Sequence, residues 1–262
     1  MDARTAFNVA ESGRLAGRTV MFAHGFGCDQ HMWRHVAPAF EDFHVVLFDY
    51  VGMGGAKAVY DPDRYATLDG YAEDVLRICE ELDLVDVVFV GHSVSSTIGA
   101  LAQIASPQRF SALVMVGPSP RYINDGDYVG GFEQEDIEGL LDSLASNYLG
   151  WSHQMAPAIM GNPDRPELGE ELESTFCTVD PDIAERFARA TFLADNREDF
   201  ARITAPTLVL QSKEDIIAAP VVGQFVADQI PTSSLVILDS TGHCPHLSAP
   251  QEVTAAIREF VG

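Results

Sequence analysis

Residues Val87–Ser95 read VVFVGHSVS and contain the most informative pattern of the sequence. Its apolar first half predicts a short buried strand, and a helical pattern follows it. Ser93 would then lie on the sharp strand-to-helix turn of a G-x-S-x-G motif, which exposes a serine as a nucleophile. Such a turn needs small flanking residues because its backbone is strained and a neighbouring chain passes close by. Gly91 fits, whereas Ser95 departs from the motif, so a serine that only caps the helix stays open as the alternative.

Short apolar runs recur along the chain and alternate with helical patterns. Such alternation is typical of a mostly parallel sheet that is buried on both faces. We therefore predict a doubly wound α/β domain. The predicted strands are Thr19–Ala23, His44–Asp49, Asp86–Val90, Ala112–Val116, Thr207–Gln211 and Ser234–Leu238. The predicted helices are Met32–Phe40, Leu68–Leu82, Ser95–Ile104, Val221–Gln229 and Gln251–Phe260.

The alternation is interrupted between residues 121 and 201, where helical patterns occur without a convincing strand. A helical insertion in a parallel sheet would cover the carboxyl ends of the strands, where open α/β sheets bind their ligands. We predict a core formed by residues 1–120 and 202–262 and a helical cap formed by residues 121–201. Helical spacing predicts one apolar face in this cap, made by Ile137, Leu140, Leu141, Leu144 and Tyr148.

A serine nucleophile needs a base within hydrogen-bond reach and an acid that orients the base. On this kind of elbow the chain order is serine, acid, histidine. Carboxylates follow the strand predicted at Thr207–Gln211, and there Asp215 is preferred over Glu214. Asp239, at the end of the last predicted strand, is a weaker alternative.

Histidines follow the last predicted strand. His243 comes directly after Gly242, which lets the chain turn towards the site, whereas His246 is expected to pack against the closing segment. We therefore predict that Ser93, Asp215 and His243 are the catalytic residues.

The negative charge that develops on an attacked carbonyl oxygen requires two N–H donors. The amide of Val94, the residue after the nucleophile, would supply one. The other would come from the loop Ala23–Gly27, where Phe26 offers its amide and places its ring in the pocket. His24, in the same loop, either takes part in the site or bonds local backbone.

A substrate pocket is predicted between Phe26 and the cap. The aromatic residues of the cap line an apolar cavity or form the cap's own core; they are Phe132, Tyr148, Trp151, Phe176 and Phe192. The glycine-rich segment Val51–Gly55 lacks the G-x-G-x-x-G spacing of a dinucleotide site, and we interpret it as a turn.

The composition excludes several classes of function. The chain carries 39 Asp+Glu against 16 Lys+Arg, a formal charge of −23, and this field disfavours nucleic acid and anionic membranes as partners. No apolar run is long enough to span a bilayer and no secretory signal is evident, so we expect a cytoplasmic protein. The four cysteines lack metal-site spacing and are expected to be reduced; no metal is predicted.

Several strings together resemble the RsbQ-like α/β-hydrolases, a group that contains the bacterial stress-pathway regulator RsbQ and the plant karrikin and strigolactone receptors. The similarity extends over nearly the whole chain, and the group has a similar serine-ended elbow. The strings are FAHGFGCDQ from Phe22, FDYVG from Phe48, GHSVS from Gly91, VMVGPSPRY from Val114 and GHCPHLS from Gly242.

The resemblance implies an α/β-hydrolase fold with a V-shaped cap of about four helices, and a triad on Ser93, Asp215 and His243. We expect a serine hydrolase that cleaves a small apolar ester or lactone, for which a butenolide is a candidate, and that needs no cofactor. The alternative is a ligand-sensing signalling protein that acts through a phosphatase-type or sensor-type partner, with slow hydrolysis. Carbon–carbon bond hydrolysis stays a minor alternative, whereas a dehalogenase would need a carboxylate in place of Ser93.

Overall fold

A computed structural model of the chain describes residues 1–262 and contains one seven-stranded sheet. The strand order is β1-β3-β2-β4-β5-β6-β7, and every neighbouring pair is parallel except β1 with β3. The predicted α/β-hydrolase fold, with its mostly parallel sheet, is thereby confirmed. The strands are β1 (Ala10–Gly13), β2 (Thr19–Ala23), β3 (His44–Leu47), β4 (Val87–His92), β5 (Phe110–Val116), β6 (Thr207–Glu214) and β7 (Ser233–Thr241).

Eleven α-helices accompany the sheet. None of them is both long and apolar enough to cross a membrane. They are α1 (Ala3–Ala6), α2 (Asp69–Glu81), α3 (Val94–Ala105), α4 (Gln134–Ser146), α5 (Tyr148–Met160), α6 (Pro166–Phe176), α7 (Pro181–Phe192), α8 (Arg197–Phe200), α9 (Pro220–Gln229), α10 (Pro245–Ser248) and α11 (Pro250–Val261).

Two features of the amino-terminal region differ from the prediction. The helix predicted at Met32–Phe40 is wrong, because this segment contains two short 3₁₀ helices, Gln30–Trp33 and Ala37–Phe40. Pro38 lies within the first turn of the second one, and a proline without an N–H would break a continuous helix there. The edge strand β1 was not predicted, since its sequence AESG is short, mostly polar and exposed.

Strand β4 shows why the apolar runs are continuous. Val87 and Phe89 belong to the larger apolar cluster on one face of the sheet, and Val88 and Val90 belong to the smaller cluster on the other face. Successive side chains of a strand point to opposite faces, so a strand covered on both sides must be apolar at every position. This core holds the carboxyl end of β4, and with it Ser93, in a fixed place.

The segment between β5 and β6 is helical, with α4 packed against α7 and α5 packed against α6. The buried residues Ile137, Leu141 and Leu144 form the predicted apolar face of α4. The inclusion of Tyr148 in that face was wrong, because α4 ends at Ser146 and Tyr148 begins α5. Asn147 separates the two helices, and its side chain accepts a hydrogen bond from the amide of Gly150.

Candidate active site

Ser93 lies on a strained turn between β4 and α3. Its φ of 56° and ψ of −122° fall outside the usual regions for a residue with a side chain. The amide of Ser93 donates to the carbonyl of Val116 over 2.8 Å, which ties the turn to the end of β5. A Cβ at Gly91 would lie 2.5 Å from the carbonyl oxygen of Ser95, so only glycine fits at the first flank. Strain of this kind is typical of functional sites.

The structure brings Ser93, His243 and Asp215 into one hydrogen-bonded chain. His243 Nε2 lies 2.7 Å from Ser93 Oγ, and His243 Nδ1 lies 2.7 Å from Asp215 Oδ2. All three residues are buried although they come from the ends of three different strands. In this geometry the imidazole can accept the hydroxyl proton while the carboxylate orients the ring.

Backbone amides fix the carboxylate of Asp215. Its Oδ1 accepts hydrogen bonds from the amides of Ile217, at 2.8 Å, and Ala218, at 3.0 Å, which leaves Oδ2 to face the imidazole. The two other candidate acids do not reach the site. Glu214 has an exposed side chain, and Asp239 forms a surface ion pair with Lys213.

The loop that carries His243 is held by the helical segment above it. The amide of His243 donates to the carbonyl of Ile159 over 2.9 Å. Gly242 has a φ of +92°, and a Cβ at this position would lie 1.9 Å from the carbonyl oxygen of Met160. The glycine before the histidine is therefore required both by the turn and by the close approach of α5.

The amides expected to bind an oxyanion have no competing acceptor within the protein. Val94 is the first residue of α3, so no carbonyl of its own helix can accept its N–H. Phe26 lies in the loop after β2, and its N–H makes no hydrogen bond to the protein. Both amides are free for a ligand, and their role as oxyanion donors stays a prediction.

A buried imidazole shapes the loop after β2. Nε2 of His24 accepts the amide of Tyr50 over 3.1 Å, so Nδ1 carries the proton and donates to the carbonyl of Gly25 over 2.9 Å. Burial lowers the pKa of His24, which keeps the ring neutral. Of the two roles considered for His24, the structure shows the hydrogen bonds to local backbone.

A cavity of about 460 Å³, including its opening to solvent, adjoins Ser93 and His243. Four of the six predicted pocket residues line it, namely Phe26, Trp151, Phe176 and Phe192. The other two do not: Phe132 forms a backbone bridge with Ile123, and Tyr148 donates its hydroxyl to the carbonyl of Phe176. The prediction did not include the remaining lining residues, which are Cys28, His92, Leu140, Met155, Ile159, Leu172, Ile217 and Cys244.

The cavity wall carries no Asp, Glu, Lys or Arg side chain. Cys28 and Cys244 belong to this wall as free cysteines, and burial raises the pKa of both thiols. Thiols with raised pKa values are poor nucleophiles at neutral pH. The wall is therefore mostly apolar, and Ser93 is the residue in it whose hydroxyl lies within hydrogen-bond distance of an imidazole base.

His246 lies beneath the site without a polar partner. Neither ring nitrogen makes a hydrogen bond, and the ring stacks on Trp33 at 4.6 Å between centroids. Burial, with a contribution from the neighbouring His243, lowers the pKa of His246 to about 3. The prediction that His246 packs against the structure rather than entering the triad agrees with this environment.

The buried ring of His246 should make the fold sensitive to acid. Its pKa is about 6.5 in the unfolded chain and lower in the folded one, so between these values the unfolded state binds the extra proton and stability falls as the pH falls. We expect His246→Phe to remove about 2 kcal/mol of the stability loss between pH 7 and pH 5, measured by urea unfolding. His31→Gln, at an exposed histidine, is the control, and equal pH profiles for His246→Phe and the wild type would contradict the assignment.

Comparison with known proteins agrees with this fold. Residues 20–257 match the sequence profile described as the alpha/beta hydrolase family. The chain belongs to the alpha/beta hydrolase family.

Particular relatives place the chain among the RsbQ-like members, as its motifs predicted. It is 41% identical to a probable esterase of Oryza sativa subsp. japonica over 98% of this chain and 96% of the relative. It is 40% identical to "Karrikin insensitive 2 receptor CA" of Petunia hybrida over 93% and 92% of the two chains. A solved hydrolase from Oleispira antarctica superposes with a TM-score of 0.96 at 42% identity, over 99% and 96% of the two chains.

Proposed function

We propose that the protein is a serine hydrolase that cleaves a small apolar ester or lactone through an acyl-enzyme. The observation that carries this proposal is the hydrogen-bonded chain from Ser93 through His243 to Asp215, which ends in the wall of an apolar cavity. A nucleophile, a base and an orienting acid in this arrangement suit acyl transfer.

The first half of the reaction forms the acyl-enzyme. Ser93 Oγ attacks the substrate carbonyl while its proton passes to His243 Nε2, 2.7 Å away. Asp215 accepts the Nδ1 proton of His243 in a hydrogen bond and stabilises the imidazolium that forms. The amides of Phe26 and Val94 bind the oxygen of the tetrahedral intermediate, and His243 then protonates the leaving oxygen.

The second half releases the acyl group. A water molecule gives a proton to His243 Nε2 and attacks the acyl carbonyl, and the resulting intermediate collapses with return of the proton to Ser93 Oγ. In these steps this chain supplies the nucleophile, the base, the orienting acid and the two amide donors, and solvent supplies the water. A lactone suits the cavity because its alcohol product stays tethered to the acyl group, so a single compact apolar site holds the whole substrate.

A second candidate function is ligand sensing. Relatives that are about 40% identical include proteins named as an esterase and as a receptor, so similar sequences occur under both names. In this alternative the ligand occupies the cavity, hydrolysis is slow, and the helices α4–α7 present the surface that a protein partner recognises.

Steady-state hydrolysis separates the two candidates. The purified protein is assayed with p-nitrophenyl acetate, p-nitrophenyl butyrate and a fluorogenic butenolide, with Ser93→Ala as the blank. Turnover above about 1 s⁻¹, within the usual range for enzymes, supports the hydrolase. A single burst of product followed by almost no turnover, with an acyl group on Ser93 in the mass spectrum, favours sensing, and the absence of both burst and turnover contradicts the proposed chemistry.

A further inference from the structure

Ser95 occupies the position where the generic elbow motif has glycine, and its hydroxyl makes two buried hydrogen bonds. Ser95 Oγ donates to the carbonyl of His24, and the hydroxyl oxygen of Tyr50 lies 2.9 Å from the same Oγ. A serine hydroxyl has a single proton, so Tyr50 must be the donor of the second bond. Burial raises the pKa of Tyr50, which keeps this donor protonated. The serine is thus a link from Tyr50 to the loop after β2.

The carbonyl that Ser95 holds belongs to the loop that supplies a proposed oxyanion donor. His24 precedes Phe26 by two residues, and its own ring holds the next carbonyl, that of Gly25, over 2.9 Å. The carbonyl of Gly25 and the N–H of Phe26 share one planar peptide group, so fixing the carbonyl fixes the direction of the N–H. Two successive carbonyl groups of this loop are therefore held by side-chain hydrogen bonds.

We propose that Ser95, supported by Tyr50, is a positioning residue that sets the distance between the oxyanion donors and the nucleophile. Ser93 directly precedes α3, and the first turn of α3 carries the amide of Val94 and the hydroxyl of Ser95, so the three groups belong to one short segment. The hydrogen bond from Ser95 to His24 joins this segment to the loop that carries the amide of Phe26. The amides of Val94 and Phe26, which come from separate elements, are thereby kept at a fixed distance from each other. This role rests on the hydrolase function proposed above.

The alternative explanation is that serine is merely small enough for the elbow. Ser95→Ala and Ser95→Gly distinguish the two, since both are smaller than serine and lack the hydroxyl. A displaced oxyanion donor weakens binding of the transition state more than binding of the substrate. We expect both variants to lower kcat by about 10- to 100-fold while KM changes by less than about threefold. Affinity for a trifluoromethyl ketone, whose adduct places an oxyanion between the amides, should fall by a similar factor.

Thr97→Val is the matched control. Thr97 is buried on the same helix, and its hydroxyl donates to the carbonyl of Ser119 over 3.2 Å, outside the proposed site. The Thr97 variant and the Ser95 variants each lose buried hydrogen bonding and some thermal stability. A lower kcat is expected only in the Ser95 variants. A kcat for Ser95→Gly within about threefold of the wild type would overturn the positioning role and leave the proposed hydrolase intact.

Tyr50→Phe provides a second test that keeps the core packed should the Ser95 variants fail to fold. It leaves the bond from Ser95 to His24, so the expected loss in kcat is smaller, about three- to tenfold. The double variant should be no slower than Ser95→Ala alone, because both changes act through one link. Additive losses, or an unchanged kcat in Tyr50→Phe, would contradict the link.

If the wild type hydrolyses none of the esters, the proposed function fails, and the rate at which a fluorophosphonate labels Ser93 still tests the positioning role. The tetrahedral phosphonate also directs an oxygen to the two amides. Slower labelling of Ser95→Ala than of Thr97→Val supports the role, and equal rates overturn it.

Discussion

Asp215→Asn is expected to lower kcat by about 10⁴-fold with little change in KM, as the same exchange does in other serine triads. The reason lies in the two backbone amides that face Oδ1. Because Ile217 and Ala218 both donate there, the oxygen of the new amide must occupy the Oδ1 position. Its NH₂ group then faces His243 Nδ1, which has to become an acceptor. The imidazole proton moves to Nε2, and the ring can no longer accept the proton of Ser93.

The control for this variant is Asp239→Asn. Asp239 follows the same pattern of a carboxylate near a strand end, but it is exposed and pairs only with Lys213 at the surface. We expect its kcat to stay within about twofold of the wild type, since exposed ion pairs contribute little. Equal activities for the Asp215 and Asp239 variants would show that Asp215 does not orient the base.

The candidate triad could be predicted from sequence because each member follows a predicted strand, although only β4 and β6 are mostly buried and β7 is largely exposed. Parallel strands end at one edge of the sheet, so residues that follow β4, β6 and β7 must lie close together. The sequence patterns around Ser93, Asp215 and His243 are local, so they can be recognised without knowing how the chain packs. The choice between His243 and His246 also depended on a local feature, the glycine that precedes His243.

The cavity wall was predicted less completely because helical spacing does not tell a cavity from a core. Leu140, Met155 and Leu172 line the cavity, whereas Leu141 and Leu144 do not, although all five side chains are apolar. Which side of a helix faces empty space depends on how α4, α5 and α6 pack over the sheet.

The position of Tyr148 illustrates the same limit. Its spacing continues the apolar face of α4, but Asn147 ends that helix and turns the chain. The side chain of Tyr148 therefore bonds the carbonyl of Phe176 within the helical segment and does not line the cavity. A single capping residue outweighed the periodicity, since helix ends depend on local hydrogen bonds that a spacing pattern ignores.

The two hydrogen bonds of Ser95 could not be predicted from sequence at all. Tyr50 lies 45 residues before Ser95 and His24 lies 71 residues before it, and nothing in their local sequence indicates a contact. From sequence alone, serine in place of glycine weakens the match to the elbow motif. In the folded chain the same serine joins the elbow to the loop opposite it.

Ser93→Ala should abolish ester turnover and covalent labelling, with kcat lower by about 10⁶-fold, while the fold is retained. The hydroxyl bonds His243, and the backbone amide that ties the turn to Val116 is untouched. We expect the melting temperature to change by less than about 3 °C, because a small buried group is removed from a site that already adjoins a cavity. Undiminished hydrolysis by this variant would refute the serine mechanism.

The same variant makes ligand binding measurable without turnover. An intact apolar lactone should occupy the cavity of Ser93→Ala and stabilise it by about 2.7 kcal/mol at 100 times its dissociation constant. For a chain of this size, that corresponds to a rise of roughly 5–10 °C in the melting temperature. An added carboxylate on the same lactone should remove the effect, because the wall offers no Lys or Arg side chain to pair with it. Equal shifts with both lactones would show that binding occurs outside the apolar cavity.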